Sequence, residues 1–276
     1  MSLALILSSY VAAGRMGGGG QVLALAACGI DPVLVPTVML GRSPARGGRG
    51  RATDSELFQT LIDDVEADGL FPRIDLLITG HFSTTEQAAS AAQAIGRVRA
   101  AAPQAVVVVD PILGDAPKGL YVKPEVATAV ADGLVPLADW ITPNLWELGH
   151  LCGRGIETAA DARDAARSLG RKALITSAPA DEGDMGLLLW DGHEAMLITH
   201  PRAASAPNGT GDLVTAMFGA GLVQGLSPLA AAERAGGAVR LAVEAAAALG
   251  ALELPLIALG ARLAGPASGL AIRPLA

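Results

Sequence analysis

The sequence predicts a three-layer α/β/α fold, with helices on both faces of a mostly parallel, doubly wound sheet. Three observations carry that expectation. Short β-prone apolar runs alternate with Ala-rich stretches of helical character, the rhythm of consecutive βαβ units. The run Val106-Val107-Val108-Val109 shows no polar alternation, as a strand covered on both faces requires. Late in the chain two apolar runs flank Asp191-Gly192, a hairpin turn pair, so an antiparallel hairpin is expected at a sheet edge.

Taken in order, strands are expected at residues 3–9, 32–38, 76–80, 105–110, 140–142, 173–177, 186–190 and 195–199. The first, Leu3-Ala4-Leu5-Ile6-Leu7, has no basic residue ahead of it and reads as a buried strand rather than a signal peptide. Helices are expected at residues 21–28, 55–68, 84–102, 125–133, 158–169 and 211–224. Thr53 or Asp54 can cap the helix opening at Ser55-Glu56, Ser83-Thr84-Thr85-Glu86 has the form of a capping box, and Thr158 precedes an Ala-rich run. No internal linker and no repeat divides the chain, so one domain over residues 1–276 is expected. Residues 41–51 stand apart. Gly-rich and carrying Arg42, Arg46, Arg49 and Arg51, they read as a mobile, lid-like surface loop spanning about 41–53, whose arginines could close over phosphates.

Composition narrows the function. The 276 residues are 51% hydrophobic and 17% charged, enough to bury a sizeable core. A net charge of −7 disfavours a phosphate-backbone binder, and four Phe, three Trp and two Tyr leave few stacking platforms, so no nucleic-acid partner is expected. Cys28 and Cys152 form no CxxC pair, which fits a reducing compartment. No apolar run reaches the roughly eighteen residues of a membrane span, so a cytoplasmic protein without a membrane partner is expected.

Some familiar patterns fail. Gly17 to Gly20 is followed by no Gly-Lys-Ser/Thr and does not meet GxGxxG spacing. His193-Glu194 is separated from His200 by too much for two ligands on one helix face, and no GxSxG is present.

Three motifs at strand ends hold. Asn208-Gly209-Thr210-Gly211-Asp212 opens an apolar helix; glycines at 209 and 211 let backbone amides turn toward one point, where the helix dipole adds positive potential. Charge on a transferring phosphoryl group suits that place. Asp212 can there accept a hydroxyl proton, or merely cap its helix. Asp110-Pro111-Ile112-Leu113-Gly114-Asp115 follows the most buried strand, at the edge where doubly wound sheets bind ligands; its carboxylates can handle a metal–phosphate or tie down a turn. Thr142-Pro143-Asn144-Leu145-Trp146-Glu147 again runs from strand to helix; Glu147 could hold Mg2+ through water, and Asn144 with Glu147 also makes the capping-box pattern.

Asp-Pro-Ile-Leu-Gly-Asp, Thr-Pro-Asn-x-x-Glu, Ile175-Thr176-Ser177 and Gly-Thr-Gly-Asp, in that order, resemble the ribokinase-like superfamily, and most closely its pyridoxal kinase branch. The resemblance begins at Ile6-Leu7-Ser8-Ser9-Tyr10-Val11-Ala12-Ala13-Gly14 and continues through Leu77-Ile78-Thr79-Gly80 and Leu120-Tyr121-Val122 to Glu253-Leu254-Pro255-Leu256-Ile257. It implies a ribokinase-like fold and ATP-dependent phosphorylation of the 5′-hydroxymethyl group of pyridoxal or a related B6 vitamer. By residue, it implies Asp212 as catalytic base and Gly209, Thr210 and Gly211 as anion hole. Asp115, Asn144, Thr176 and Ser177 would bind ATP, Ser9, His81 and Tyr121 the vitamer, and Asp110 and Glu147 would organise Mg2+. Such kinases are commonly homodimers, often using K+ as well. The substrate side departs from the branch: Leu40-Gly41-Arg42-Ser43-Pro44-Ala45 lacks its usual His and Tyr, His81 stands where Tyr is common, and Asn208 replaces a small apolar residue. Two other readings stay open, a hydroxymethylpyrimidine kinase, whose branch usually has Cys in place of Asp212, and a non-catalytic vitamer-binding protein.

Overall fold

In the computed structural model, which describes residues 2–275, the chain enters as strand β1 (Leu3–Val11) and turns through helix α1 (Gly17–Ala27) into β2 (Asp31–Leu40). β3 (Gly50–Ala52) folds back on β2, and α2 (Ser55–Ala67), β4 (Ile74–Thr79), α3 (Thr85–Ala101) and β5 (Val106–Val109) follow. A two-stranded flap, β6 (Gly114–Asp115) and β7 (Gly119–Leu120), precedes α4 (Pro124–Gly133), β8 (Trp140–Ile141), α5 (Leu145–Cys152) and α6 (Ala159–Leu169). Then come β9 (Lys172–Ala178), β10 (Asp184–Trp190), β11 (Ala195–Pro201), α7 (Thr210–Val223), α8 (Pro228–Leu249), α9 (Leu256–Leu259) and β12 (Ala271–Pro274).

The main sheet has ten strands in the order β12-β11-β10-β9-β8-β5-β4-β1-β2-β3. The six from β9 to β2 pair in parallel. β10, β11 and β12 add antiparallel pairs on one edge and β3 on the other. Strand order reverses between β1 and β4, because the chain first moves outward to β2 and then returns to build toward β9. Crevices at the carboxyl ends of strands flanking such a reversal are where open α/β sheets bind ligands.

β1 shows how the layers form. Leu3, Leu5 and Leu7 face a core shared with Phe58 and Ile62 of α2, Ile95 of α3 and Leu148 of α5. Ala4 and Ile6 face the opposite core, with Leu25 of α1, Phe218 of α7 and Ala235 of α8. Phe218 meets Trp140 of β8 edge-on, ring centres 5.0 Å apart, a favoured aromatic geometry. Asp54 and Thr158 accept bonds from first-turn amides of α2 and α6 as their sequence positions anticipate, whereas α3 is capped by Thr84 bonding the Gln87 amide, one residue beyond the expected Ser83–Glu86 box.

Several expectations are corrected. α1 begins at Gly17 rather than at residue 21, so the four glycines form its first turn. They serve close approach: a Cβ on Gly20 would meet the Arg15 carbonyl oxygen at 2.7 Å, and one on Gly18 the Ser9 carbonyl oxygen at 3.0 Å. Packing of α1 onto β1 outweighs the poor helix propensity of Gly. Residues 41–53 are not loop throughout, since a helical turn at Pro44–Arg46 leads into β3, which pairs with Val38 to Leu40. The antiparallel part is wider than one hairpin, and β12 is short and exposed, with too little apolar pattern to announce a strand. α8, the longest helix among the described residues, shows no clear helical period in the sequence because its Ala and Gly residues blur it. Its end signals were nonetheless present, Ser227-Pro228 at the start and Gly250 at the stop. Among the described residues no helix is long and apolar enough to cross a membrane.

Candidate active site

The strand-end residues converge at the carboxyl edge of the parallel strands. β5 ends at Val109, and Asp110 follows with its N–H on the Thr79 carbonyl oxygen of β4 at 3.1 Å. Thr142 bonds back to Val109 at 3.0 Å, and Thr176 donates its N–H to the Pro143 carbonyl oxygen at 2.9 Å. The exits of β4, β5, β8 and β9 are thereby laced side by side. Two non-glycine residues here adopt positive φ, Ile112 at 42° and Ser177 at 56°, a conformation uncommon outside glycine and enriched where sites are built.

α7 brings the fourth motif. Gly209, φ 98°, turns the chain into the helix, and Asp212 falls in its first turn, 8% exposed. Asp212 does not cap its own helix. Its Oδ2 accepts the Gly17 N–H at 2.7 Å, from the start of α1, while its Oδ1 is buried with no partner. One turn on, Thr215 donates its hydroxyl to Asp110 Oδ2 at 2.8 Å. With that proton committed, the Thr142 hydroxyl is the donor across the 2.8 Å contact between the two threonines.

Asn144 and Glu147 form the full reciprocal capping box at the start of α5. Glu147 reaches further: Oε1 accepts Leu113 N–H at 2.7 Å while Oε2 accepts Asn144 N–H at 2.9 Å. The Asn144 side-chain amide donates to the Gly114 carbonyl oxygen at 2.8 Å. Capping and holding the loop after β5 are therefore one arrangement.

Three buried carboxylates now share one region, and burial sets their acidity. Asp212 is pushed up to about 6, partly offset by the Gly17 N–H. Glu147 is pushed up to about 7 by burial, against the amides of Asn144, Leu113 and Gly114. Asp110 is raised well above the usual carboxylate range by burial and then by the charges of Glu147 and Asp212. A site that makes carboxylates this reluctant to ionise is suited to a cation or to proton transfer.

The remaining expected residues are placed as follows. Thr176, Ser177, Thr210 and Gly211 line a cavity of about 360 Å³ walled by Val214 and Val243. Asp115 and Asn144 line a second one of about 680 Å³, which shares Ser177. Ser9 is buried at the end of β1 beside Gly17. His81 follows β4, and burial lowers its imidazole to about 4, so it is neutral at physiological pH, with Ser83 Oγ 3.4 Å from Nε2. Tyr121 is half exposed beyond the β6–β7 flap, its phenol raised by burial and then by the charges of Asp115 and Glu147. A further cavity of about 720 Å³ beside Arg163, Trp190 and His193 contains none of these residues. Arg46 pairs with Glu253 rather than facing this constellation.

Gly17 and Thr215 join the site without belonging to any of its sequence motifs. Thr215 had a usable signal, lying three residues after Asp212 on the same helix face. Gly17 had none, because its role is a backbone N–H. We expect Thr215→Val, which removes the hydroxyl bridging Asp110 and Thr142 in the interior, to lower stability by roughly 1–3 kcal/mol, measured by urea unfolding.

Residues 22–256 match the phosphomethylpyrimidine kinase family. The chain is 36% identical over 229 residues to the pyridoxine/pyridoxal/pyridoxamine kinase of Bordetella avium, covering 80% of this chain and 77% of that one. It is 32% identical over 228 residues to the pyridoxal kinase PdxY of Deinococcus radiodurans, covering 78% and 76%. Among solved structures it is similar to pyridoxal kinase from Entamoeba histolytica (TM-score 0.92, 25% identity, 100% of each chain covered). The Leishmania donovani pyridoxal kinase in complex with ADP and pyridoxamine gives the same TM-score, identity and coverage. The chain belongs to the phosphomethylpyrimidine kinase family, on its ribokinase-like pyridoxal kinase branch.

Proposed function

We infer that the protein transfers the γ-phosphoryl group of ATP to the 5′-hydroxymethyl oxygen of pyridoxal or a related B6 vitamer. The observation that carries this reading is Asp212, a buried carboxylate with one oxygen anchored by Gly17 N–H and the other unpartnered. The free oxygen takes the proton of the vitamer hydroxyl as that oxygen attacks γ-phosphorus, and the bond to the ADP oxygen breaks. The turn Gly209-Thr210-Gly211 at the start of α7 aims its amides and the helix dipole at the transferring group. ATP occupies the cavity of Thr176, Ser177 and Gly211, with Asp115 and Asn144 on its phosphate side. Ser9 and neutral His81 meet the vitamer, with Tyr121 at the rim.

Among the described residues no group of three or more His, Cys, Asp or Glu side chains forms a ready-made metal cage. Asp110 and Glu147 fit a cation bound mainly through substrate phosphates and water, the usual habit of Mg2+, because burial leaves both carboxylates short of positive charge. Glu147, with both oxygens on backbone amides, acts there through water. When bound, Mg2+ supplies neutralisation of phosphate charge. K+ and a homodimer belong to the same reading and rest on the family resemblance. The two free thiols support a cytoplasmic location.

The test is ATP- and Mg2+-dependent phosphorylation of pyridoxal, pyridoxine, pyridoxamine and hydroxymethylpyrimidine. A B6 vitamer is expected to be turned over; turnover of the pyrimidine alone would replace this reading, and vitamer binding without turnover of any of the four would support the non-catalytic one.

The raised carboxyls also predict a pH dependence. Asp212 at about 6 and Glu147 at about 7 bind protons more tightly folded than unfolded, so their contribution is fullest below about pH 4 and is lost as pH rises through 6 and 7. Each costs on the order of 3 kcal/mol once ionised, less for Glu147 because Asp110 titrates with it. Buried His81 works the other way, its contribution being lost as pH falls from about 6.5 toward 4, so the two carboxyls together leave ligand-free protein melting a few degrees lower near pH 8 than near pH 5, and Mg2+ with ATP should recover more at the higher pH. A melting temperature that rises over that interval would contradict the burial argument.

A further inference from the structure

One acidic side chain far along the chain is tied to the catalytic end through the backbone. Glu253 lies between α8 and α9, beside the fully buried Leu254. Its Oε2 accepts the Arg15 N–H at 3.0 Å, across 238 residues of sequence. Its Oε1 pairs with the Arg46 guanidinium, and Arg46 also donates to the Ala13 carbonyl oxygen at 3.0 Å. The turn at residues 12–16 is thus gripped twice by one carboxylate–guanidinium pair. It is also stitched to the root of the lid, Ala12 N–H to Leu40 oxygen at 2.9 Å and Ala13 N–H to Gly41 oxygen at 3.0 Å.

That turn ends where Asp212 begins to be positioned. The residue after it, Gly17, donates the N–H that holds Asp212 Oδ2 at 2.7 Å. The anion-hole turn packs on the same segment, since a Cβ on Gly209 would lie 2.9 Å from the Arg15 carbonyl oxygen and 3.1 Å from Met16 Cα. From the other side Asn208 donates its side-chain amide to Ser43 of the lid at 3.3 Å. Residues 40–46, the turn at residues 12–16 and Asp212 form one connected unit.

We propose that Glu253 is a positioning residue for phosphoryl transfer: by holding Arg15 N–H and Arg46 together it fixes the turn at residues 12–16, and with it the Gly17 amide that orients Asp212. The proposal rests on the reading of Asp212 as the base. The Glu253 and Arg46 side chains are 24% and 37% exposed, and ion pairs so placed contribute little to global stability, so their loss reads on rate rather than on folding.

The experiment is a double-mutant cycle on vitamer phosphorylation by the full chain, followed with γ-labelled ATP. Glu253→Ala is expected to lower kcat about tenfold with KM for ATP unchanged, the scale of a sub-ångström misplacement. In an Asp212→Asn background the same change should cost much less, at most about twofold through the adjoining Gly209 turn, because the carboxylate it positions is gone. Glu253→Gln, whose carboxamide oxygen still accepts from Arg15, should keep kcat within about twofold. Equal losses in both backgrounds, an unaltered kcat in Glu253→Ala, or a Gln variant as impaired as Ala would overturn the proposal. If Glu253→Ala does not fold, Arg46→Ala carries the same cycle, with a loss of roughly two- to threefold confined to the Asp212 background as the supporting result. A wild-type chain inactive on every vitamer would instead sink the functional reading, which the same assay reports separately.

Discussion

Asp212→Asn is expected to lower kcat by roughly 10³-fold or more while ATP still binds. The substitution preserves shape. The Asn carbonyl oxygen can still take the Gly17 N–H, but the amino group then occupies the open side, where Asp212 Oδ1 has no partner. A donor stands where the reaction needs an acceptor. The folded protein should not suffer, because burial already penalises the charged carboxylate and pushes it up to about 6. Above that pH the neutral amide is the less costly occupant, so the variant should melt at or above the wild-type temperature. Turnover measured with pyridoxal, beside ATP titration by calorimetry, decides it. A kcat within tenfold of wild type would remove Asp212 from the role of base.

The second large effect is expected at Gly209. Its φ of 98° is strained for any L side chain, and a Cβ there would press on the Arg15 carbonyl oxygen at 2.9 Å. Neither neighbour is the free end of a flexible side chain, since Met16 Cα lies at 3.1 Å on the same segment. Gly209→Ala must therefore shift the turn, and the first amides of α7 move with it. We expect kcat to fall about 10²-fold and stability by roughly 1–3 kcal/mol. Gly211 provides the contrast. A Cβ at that position meets nothing within 4 Å and φ is ordinary, so Gly211→Ala should leave the melting temperature unchanged. Comparable destabilisation by the two alanines would show that strain at Gly209 is not the cause.

Much of this was legible because it is local. Val106 to Val109 announces a strand buried on both faces by lacking polar alternation, and it is that strand. Asp54 and Thr158 announce helix starts through hydrogen bonds that close within three residues. The motif ending in Asp212 signals a helix N-terminus with a carboxylate in its first turn for the same reason. Residues 17–20 carry no helix signal of their own, as glycines lower helix propensity and nothing nearby in sequence reveals that β1 lies against them. Residues 41–53 were expected as loop because a three-residue strand of Gly, Arg and Ala has no pattern of its own; only pairing with β2 makes it one.

The sequence by itself determined the layered α/β class, the strand ends that carry polar motifs, and the residue types able to move a phosphoryl group. Tertiary structure decided which atoms of those residues remain free. Asp212 could have capped its helix, and instead it takes its hydrogen bond from Gly17, 195 residues away. Glu147 could have been a bare carboxylate, and instead it binds amides of its own cap and of the loop after β5. The reason is physical. Capping and periodicity are interactions between residues a few positions apart, whereas the burial that raises a carboxyl, and the distant amide that steadies it, exist only once the chain has closed on itself.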